Sequence, residues 1–323
     1  MGDAMRRTIC ALALLLAAPA MADDSSAALG AGGIVFTDNT PIRMAAEDLY
    51  ISPKAVRVRF VFVNDSGKDV ATLVAFPLPD LDTAEFWGSA VGTVTDDPVN
   101  FVGFKALVDG KPVAFKVEQR AFVKGRDVTA VIASTGLPLD PVADQGYRKL
   151  DALPSAAHQR LLAAGAAETD GTDWVPQWTV RTKFYWPQVF PAHKSVVIEH
   201  SYQPVTGQSF FGGEEAANKD FVQNFCIDPP TAARIVAEST ARKQANPDSG
   251  GYLNAYETDY ILKTANNWRG PIGRFHLVLD KLAPGNVLTL CWPAPLAKTG
   301  PATFESTLTN FAPARDIRML VLE

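Results

Sequence analysis

"VRVRFVFVNDSGKDVATLVAFPLPD", Val56 to Asp80, decides the fold. Val56, Val58, Phe60 and Phe62 share one parity while Arg57 and Arg59 begin the other, so an extended backbone gives the run one apolar face. The other face turns apolar at Val61 and Val63. Asp65-Ser66-Gly67-Lys68 reads as a turn, because glycine tolerates positive φ and Asp and Ser hydrogen-bond locally. "VATLVAF" returns as a strand apolar on both faces. Pro77 and Pro79 end it, since proline cannot donate to a sheet ladder. The stretch predicts a hairpin lying between two packed layers.

The same pattern extends in both directions. "FVGFKALVDGKPVAFKVEQRAFV" centres on Asp109-Gly110, a pair favoured in tight hairpin turns. "WVPQWTVRTKFYW" puts Trp178, Val180, Phe184 and Trp186 on one parity, and "SVVIEHSYQPV" follows as a strand. Three segments read as helices. Asp127 caps a short one that Gly136 ends, and Gly165 stops a second in "LDALPSAAHQRLLAAGAAE". The third is "IDPPTAARIVAESTARKQA", where Asp228 caps and Pro229 and Pro230 suit the first turn. The tail returns to strands in "YETDYIL", "RFHLVLD", "VLTLCW", "TFESTLTNF" and "IRMLVLE". Short strands, frequent turns and 23 prolines fit a mainly β protein: two β-sandwich-like modules packed together, with two or three short inserted helices. The expected division is an N-terminal module over 23–136, a helical and loop connection over 137–170, and a β-rich module over 171–323.

Arg6 and Arg7 precede "ICALALLLAAPAMA", and Ala20-Met21-Ala22 is a small-x-small cleavage site. Residues 1–22 therefore read as a signal peptide, with a mature chain starting at Asp23 in the periplasm or outside the cell. The apolar core is shorter than the ~20 residues that span a bilayer. No later stretch is long enough, so no transmembrane segment is expected in the mature chain. The formal net charge of −5 is spread along the sequence without a basic run, which disfavours nucleic acid as a partner. Cys226 and Cys291 survive cleavage into an oxidising space, where one intramolecular pairing exists and a disulfide is expected.

Motifs for chemistry are sparse. There is no Gly-x-Ser-x-Gly elbow and no phosphate-binding Gly-x-x-x-x-Gly-Lys loop, and "GAGG" at 30–33 reads as a flexible lead-in. His158, His193, His200 and His276 show no metal-ligand spacing, and no cofactor is expected. Asp80, Asp82 and Glu85 in "PDLDTAE" offer clustered oxygen ligands for a cation, set against a plain solvated turn. Asp96-Asp97 and Glu214-Glu215 are adjacent carboxylates that acid/base chemistry could use. Aromatic rings are the remaining signal. Trp174, Trp178 and Trp186 either fill the space between sheets or, exposed, grip a ligand. Phe210 and Phe211 precede a glycine pair in a loop that reads as a lid, a contact tip or a plain loop with two buried anchors, and Trp268 sits in the turn-rich "NNWRGPIG". These six rings are the candidate ligand or partner contacts.

"SAALGAGGIVFT", "IRMAAEDLYIS", "FPLPD", "VFPAHKSVVIEHSYQP", "NWRGPIGRFHLVLDK" and "FAPARDIRMLVLE" resemble the bacterial exported family of domain of unknown function 4424. The resemblance spans nearly the whole mature chain and implies an exported protein without assigned catalytic residues. Residues 55–125, including "VRFVFVNDSGKDVATLVAFPLPD" and "VDGK", are also similar to the vault/inter-α-trypsin β-sandwich domain. The von Willebrand A-type module that often follows that domain needs an Asp-x-Ser-x-Ser motif, which this chain lacks. The expected role is a non-catalytic binding or interaction module in the envelope, engaging another envelope protein or a small ligand. The alternatives are a hydrolase of envelope glycans using Asp96, Asp97, Glu214 or Glu215, and a carrier holding a small apolar ligand between the sheets.

Overall fold

The alternation read at Val56–Phe62 forms the strand Ala55–Asn64, with Val56, Val58, Phe60 and Phe62 buried. It is seen in a computed structural model that describes residues 25–30, 33–37, 41–85, 95, 97–140 and 146–323. The expected signal peptide, Asp96 and part of the "GAGG" stretch lie outside the described residues. The protein is mainly β, built of packed sheets in β-sandwich-like modules.

The first sheet has eight strands. Their spatial order is Ala297–Lys298, Thr303–Phe311, Ile272–Asp280, Ile42–Ser52, Ala55–Asn64, Ser195–Tyr202, Lys105–Val108 and Lys111–Pro112. All neighbours run antiparallel except Ile272–Asp280 beside Ile42–Ser52. The second sheet runs Arg126–Asp127, Lys116–Val123, Thr179–Phe190, Val70–Pro77, Ser25–Gly30 and Gly33–Phe36, with Leu81–Asp82 also pairing Thr179–Phe190. The third is Gly207–Phe211, Leu253–Tyr260, Ile317–Leu322 and Val287–Leu290.

The turn after Asn64 does not close a hairpin ladder. It carries the chain from the first sheet to the second, because Ala55–Asn64 and Val70–Pro77 belong to different layers. The Asn64 side-chain amide fixes this crossover by donating to the Lys68 and Phe190 carbonyls, each at 2.8 Å. Asp109-Gly110 does close a tight turn, with φ of 48° and 74°, but Lys116–Val123 then leaves for the second sheet. The division expected over 137–170 therefore does not separate the sheets. Thr179–Phe190 lies between Lys116–Val123 and Val70–Pro77, and Ser195–Tyr202 pairs with Ala55–Asn64.

The layers hide their apolar faces from water by facing each other. Phe60, Phe62 and Ile198 of the first sheet meet Val74, Phe76, Phe184, Trp186 and Phe190 of the second. Phe104 stacks on Phe184 at 4.2 Å between centroids, and Phe62 packs on Trp268 at 4.5 Å. Burying each such ring stabilises the fold by about 2 kcal/mol. The third sheet is covered on both faces. Tyr260, Ile317, Met319 and Val321 join the main core, while Leu253, Ala255, Leu320 and Leu322 pack under helices through Phe225, Ile227 and Ile235.

The three expected helices are present. Asp127 accepts from the Thr129 amide before Thr129–Ala133, Gly165 in a left-handed conformation ends Ser155–Ala164, and Asp228 accepts from the Thr231 amide before Pro229–Ala245. Gly146–Asp151, Gly213–Ala217 and Lys219–Phe225 add helix beyond the two or three expected. Each is two turns or shorter, below the length at which apolar periodicity registers.

Candidate functional site

Where Val70–Pro77 stops at its prolines, the chain continues into Leu78–Leu81, which shares a cavity with strands of the third sheet. The cavity, of about 180 Å³, is walled by Leu78–Leu81, Glu85, Phe101, Val102, Tyr202, Val205 and the strands carrying Glu257, Asp259 and Arg318. Strand alternation explains the charged wall: Glu257 and Asp259 are two residues apart on one face, and Arg318 is registered directly opposite Asp259. The Arg318 guanidinium reaches Glu257 Oε2 at 3.5 Å through Nη2 and Asp259 Oδ1 at 3.4 Å through Nε.

Burial dominates the electrostatics. It holds the Glu257 and Asp259 carboxyls above their usual range, against the opposing pull of Arg318. Glu257 is pushed up further by the charges of Asp259 and Glu85. Burial also raises Asp80, partly offset by the Arg181 guanidinium, whose Nε lies 3.0 Å from Asp80 Oδ2. Tyr202 completes the wall. It is 6% exposed, its ring packs edge-on to Phe76 at 5.7 Å, and its hydroxyl has no hydrogen-bond partner among the described residues. Burial first, and then the Asp259 charge, make that hydroxyl a weaker acid than usual.

Of the oxygen ligands expected in "PDLDTAE", Asp80 and Glu85 line this cavity and Asp82 does not. The Asp82 carboxylate instead accepts from the Ala84 amide at 3.0 Å. Among the described residues no three Asp, Glu, His or Cys side chains form a group that could hold a metal ion. Four of the six candidate contact rings are core side chains: Trp178, Trp186, Trp268 and Phe211. Strand parity turns Trp186 inward, and Trp178, just before the strand, is buried with its indole donating to the Leu139 carbonyl at 2.7 Å. Trp268, expected in an open turn, is wedged between Phe62 and Phe190. Trp174 is half-buried and stacks on His158 at 3.7 Å. Phe210 is 72% exposed and lies beside Tyr252. None of these rings lines the cavity.

One member of each adjacent pair, Asp97 and Glu215, serves local structure. Asp97 accepts from the Val99 and Asn100 amides, and Glu215 accepts from the Gly212 amide at 2.7 Å as a helix cap. Cys226 and Cys291 are bonded, with their Cα atoms 5.0 Å apart. His200 is enclosed by Phe76, Phe104 and Trp186, and burial pulls its pKa down to about 3, which makes it a neutral core ring. Sequence reasoning missed Tyr202, Glu257, Asp259 and Arg318. The one available signal was "YETDY", where two acids occupy the parity that carries apolar residues earlier in the same strand.

No curated protein matches the chain in sequence. In structure the chain is similar to a Legionella pneumophila protein described, provisionally, as a nutrient binding protein. The match covers 88% of this chain and 68% of that one, at 15% identity and a TM-score of 0.45. The model of the family described as "Domain of unknown function (DUF4424)" matches residues 22–320, and the chain belongs to that family.

Proposed function

We propose that this is an exported, non-catalytic binding protein and that the cavity between Tyr202, Glu257, Asp259 and the Leu78–Glu85 segment is its ligand site. The observation that carries this reading is Tyr202, which lines the cavity and whose buried hydroxyl has no hydrogen-bond partner among the described residues. Leaving such a group unpaired costs about 1–3 kcal/mol, a cost that a bound ligand removes. The basic and apolar N-terminus and the Cys226–Cys291 bond support export.

Binding is favoured over hydrolysis because Arg318 serves both half-buried carboxyl groups. Acid/base catalysis needs two carboxyls in unlike environments, one ionised and one protonated. A carrier of an apolar ligand between the sheets is disfavoured by the stacked rings that fill that space.

The test is amide hydrogen exchange on the purified protein with and without the small-molecule fraction of its own cell envelope. The reading expects protection confined to 78–85, 202–205, 257–259 and 318. Protection elsewhere, or none, would place the ligand site in another part of the molecule or remove it.

A further inference from the structure

We infer that the cavity takes a small organic cation, an amine on a short apolar body, held by Glu257, Asp259, Glu85 and the Tyr202 hydroxyl. The inference rests on reading the cavity as the ligand site and adds the chemical class of what enters it.

Charge is the first argument. Four carboxylates line the cavity, Asp80, Glu85, Glu257 and Asp259, against the single guanidinium of Arg318. Arg181 pairs with Asp80 from outside the lining, which still leaves an excess of negative charge. Glu257 and Asp259 share Arg318 at 3.4–3.5 Å, beyond the 2.7–2.9 Å of a strong charged hydrogen bond. Both therefore retain acceptor capacity. The pKa of each is raised for the same reason: desolvation of a part-exposed carboxyl packed into the wall outweighs the pull of Arg318.

The second argument is the Tyr202 hydroxyl, independent of the acidic cluster. It is buried, lacks a partner among the described residues, and feels the Asp259 charge. An ammonium group carries three donors and no acceptor, so it can satisfy two carboxylates and a phenolic oxygen at once. A metal ion fits poorly, because no three ligating side chains among the described residues come together. Size and lining set the rest of the molecule. About 180 Å³ corresponds to roughly six water molecules, enough for a charged head and a chain of a few carbons. Leu81, Phe101 and Val205 supply the apolar wall for that chain.

Isothermal titration calorimetry on the purified protein tests this, with n-butylamine, 1,4-diaminobutane, 1,4-butanediol, succinate and calcium as probes. The amines should bind, and the diol, succinate and calcium should not. Glu257→Gln with Asp259→Asn should weaken amine binding about tenfold or more. Tyr202→Phe should weaken it less. Glu85 is exposed, so Glu85→Gln leaves the fold intact and should still cost roughly two- to fivefold. Diol or succinate bound at the cavity as tightly as the amines would overturn the cation inference while leaving the ligand-site reading in place. Calcium binding lost in the same variants would replace it with a metal site. No heat from any probe would also overturn it, and the hydrogen-exchange map would then judge the site reading separately.

Discussion

Glu47 is a carboxyl group inside a β-sandwich. It is fully buried, and one oxygen accepts from the Tyr260 hydroxyl at 3.3 Å. The register of Ile42–Ser52 slips between Met44 and Ala46, so parity inverts and Glu47, Leu49 and Ile51 turn inward in place of the even positions that would follow Ile42 and Met44. Burial first, opposed by the Tyr260 hydrogen bond, raises its pKa from 4.5 to about 8. The folded protein thus keeps this proton until about pH 8, whereas the unfolded chain releases it near 4.5. Its contribution to stability is complete below pH 4.5 and is lost as pH rises through 8. Glu47→Gln should flatten that dependence and raise stability at pH 8 by on the order of 3 kcal/mol, read by urea denaturation at pH 5 and pH 8. An unchanged slope would mean that Glu47 does not titrate as described. "MAAEDLY" announced a strand, but nothing in Ala45-Ala46 announced the bulge, because two small residues leave parity open.

Elements show the same limit one level up. Period-two hydrophobicity told which side chains of Ala55–Asn64 are buried, and the apolar run at Val70–Pro77 marked a strand buried on both faces at its end, but neither told which strand each one pairs with. Local rules read the cap of Pro229–Ala245 from Asp228 and two prolines, since capping is decided within four residues. The bulge in Ile42–Ser52 depends on a neighbour far along the chain. A Cβ on Gly273 would lie 2.6 Å from the Ala45 carbonyl oxygen. Gly273→Ala should therefore destabilise the protein by about 1–3 kcal/mol, measured as a lower urea midpoint. The helices over the third sheet are fastened differently. Cys226 follows Lys219–Phe225, Cys291 follows Val287–Leu290, and the bond closes a separation of 65 residues. Chain-entropy arithmetic for that loop gives about 4 kcal/mol. Cys226→Ser with Cys291→Ser should lose about that much, and the same loss should follow reduction of the wild type. A midpoint indifferent to reductant would show that the sheet and helices hold together without it.

For the whole molecule, the fold class was legible and the site was not. Sandwich layers announce themselves in every strand, because each strand must hide one face. The cavity exists only where Leu78–Leu81, Glu85, Tyr202, Glu257, Asp259 and Arg318 meet, and these residues come from three different sheets or their connections. "PDLDTAE" supplied Asp80 and Glu85, but its partners lie more than a hundred residues away. Of the two readings open for the tryptophans, Trp178 and Trp186 follow the core one, and their rings say nothing of the cavity. The central claim is that this meeting point holds a small molecule. Native mass spectrometry of the protein purified from its own envelope without refolding tests that claim directly, wild type beside Glu257→Gln/Asp259→Asn. A stoichiometric mass increment present in the wild type, released on unfolding and absent from the variant is the predicted result. Bare protein in both, or the same increment in both, would contradict it.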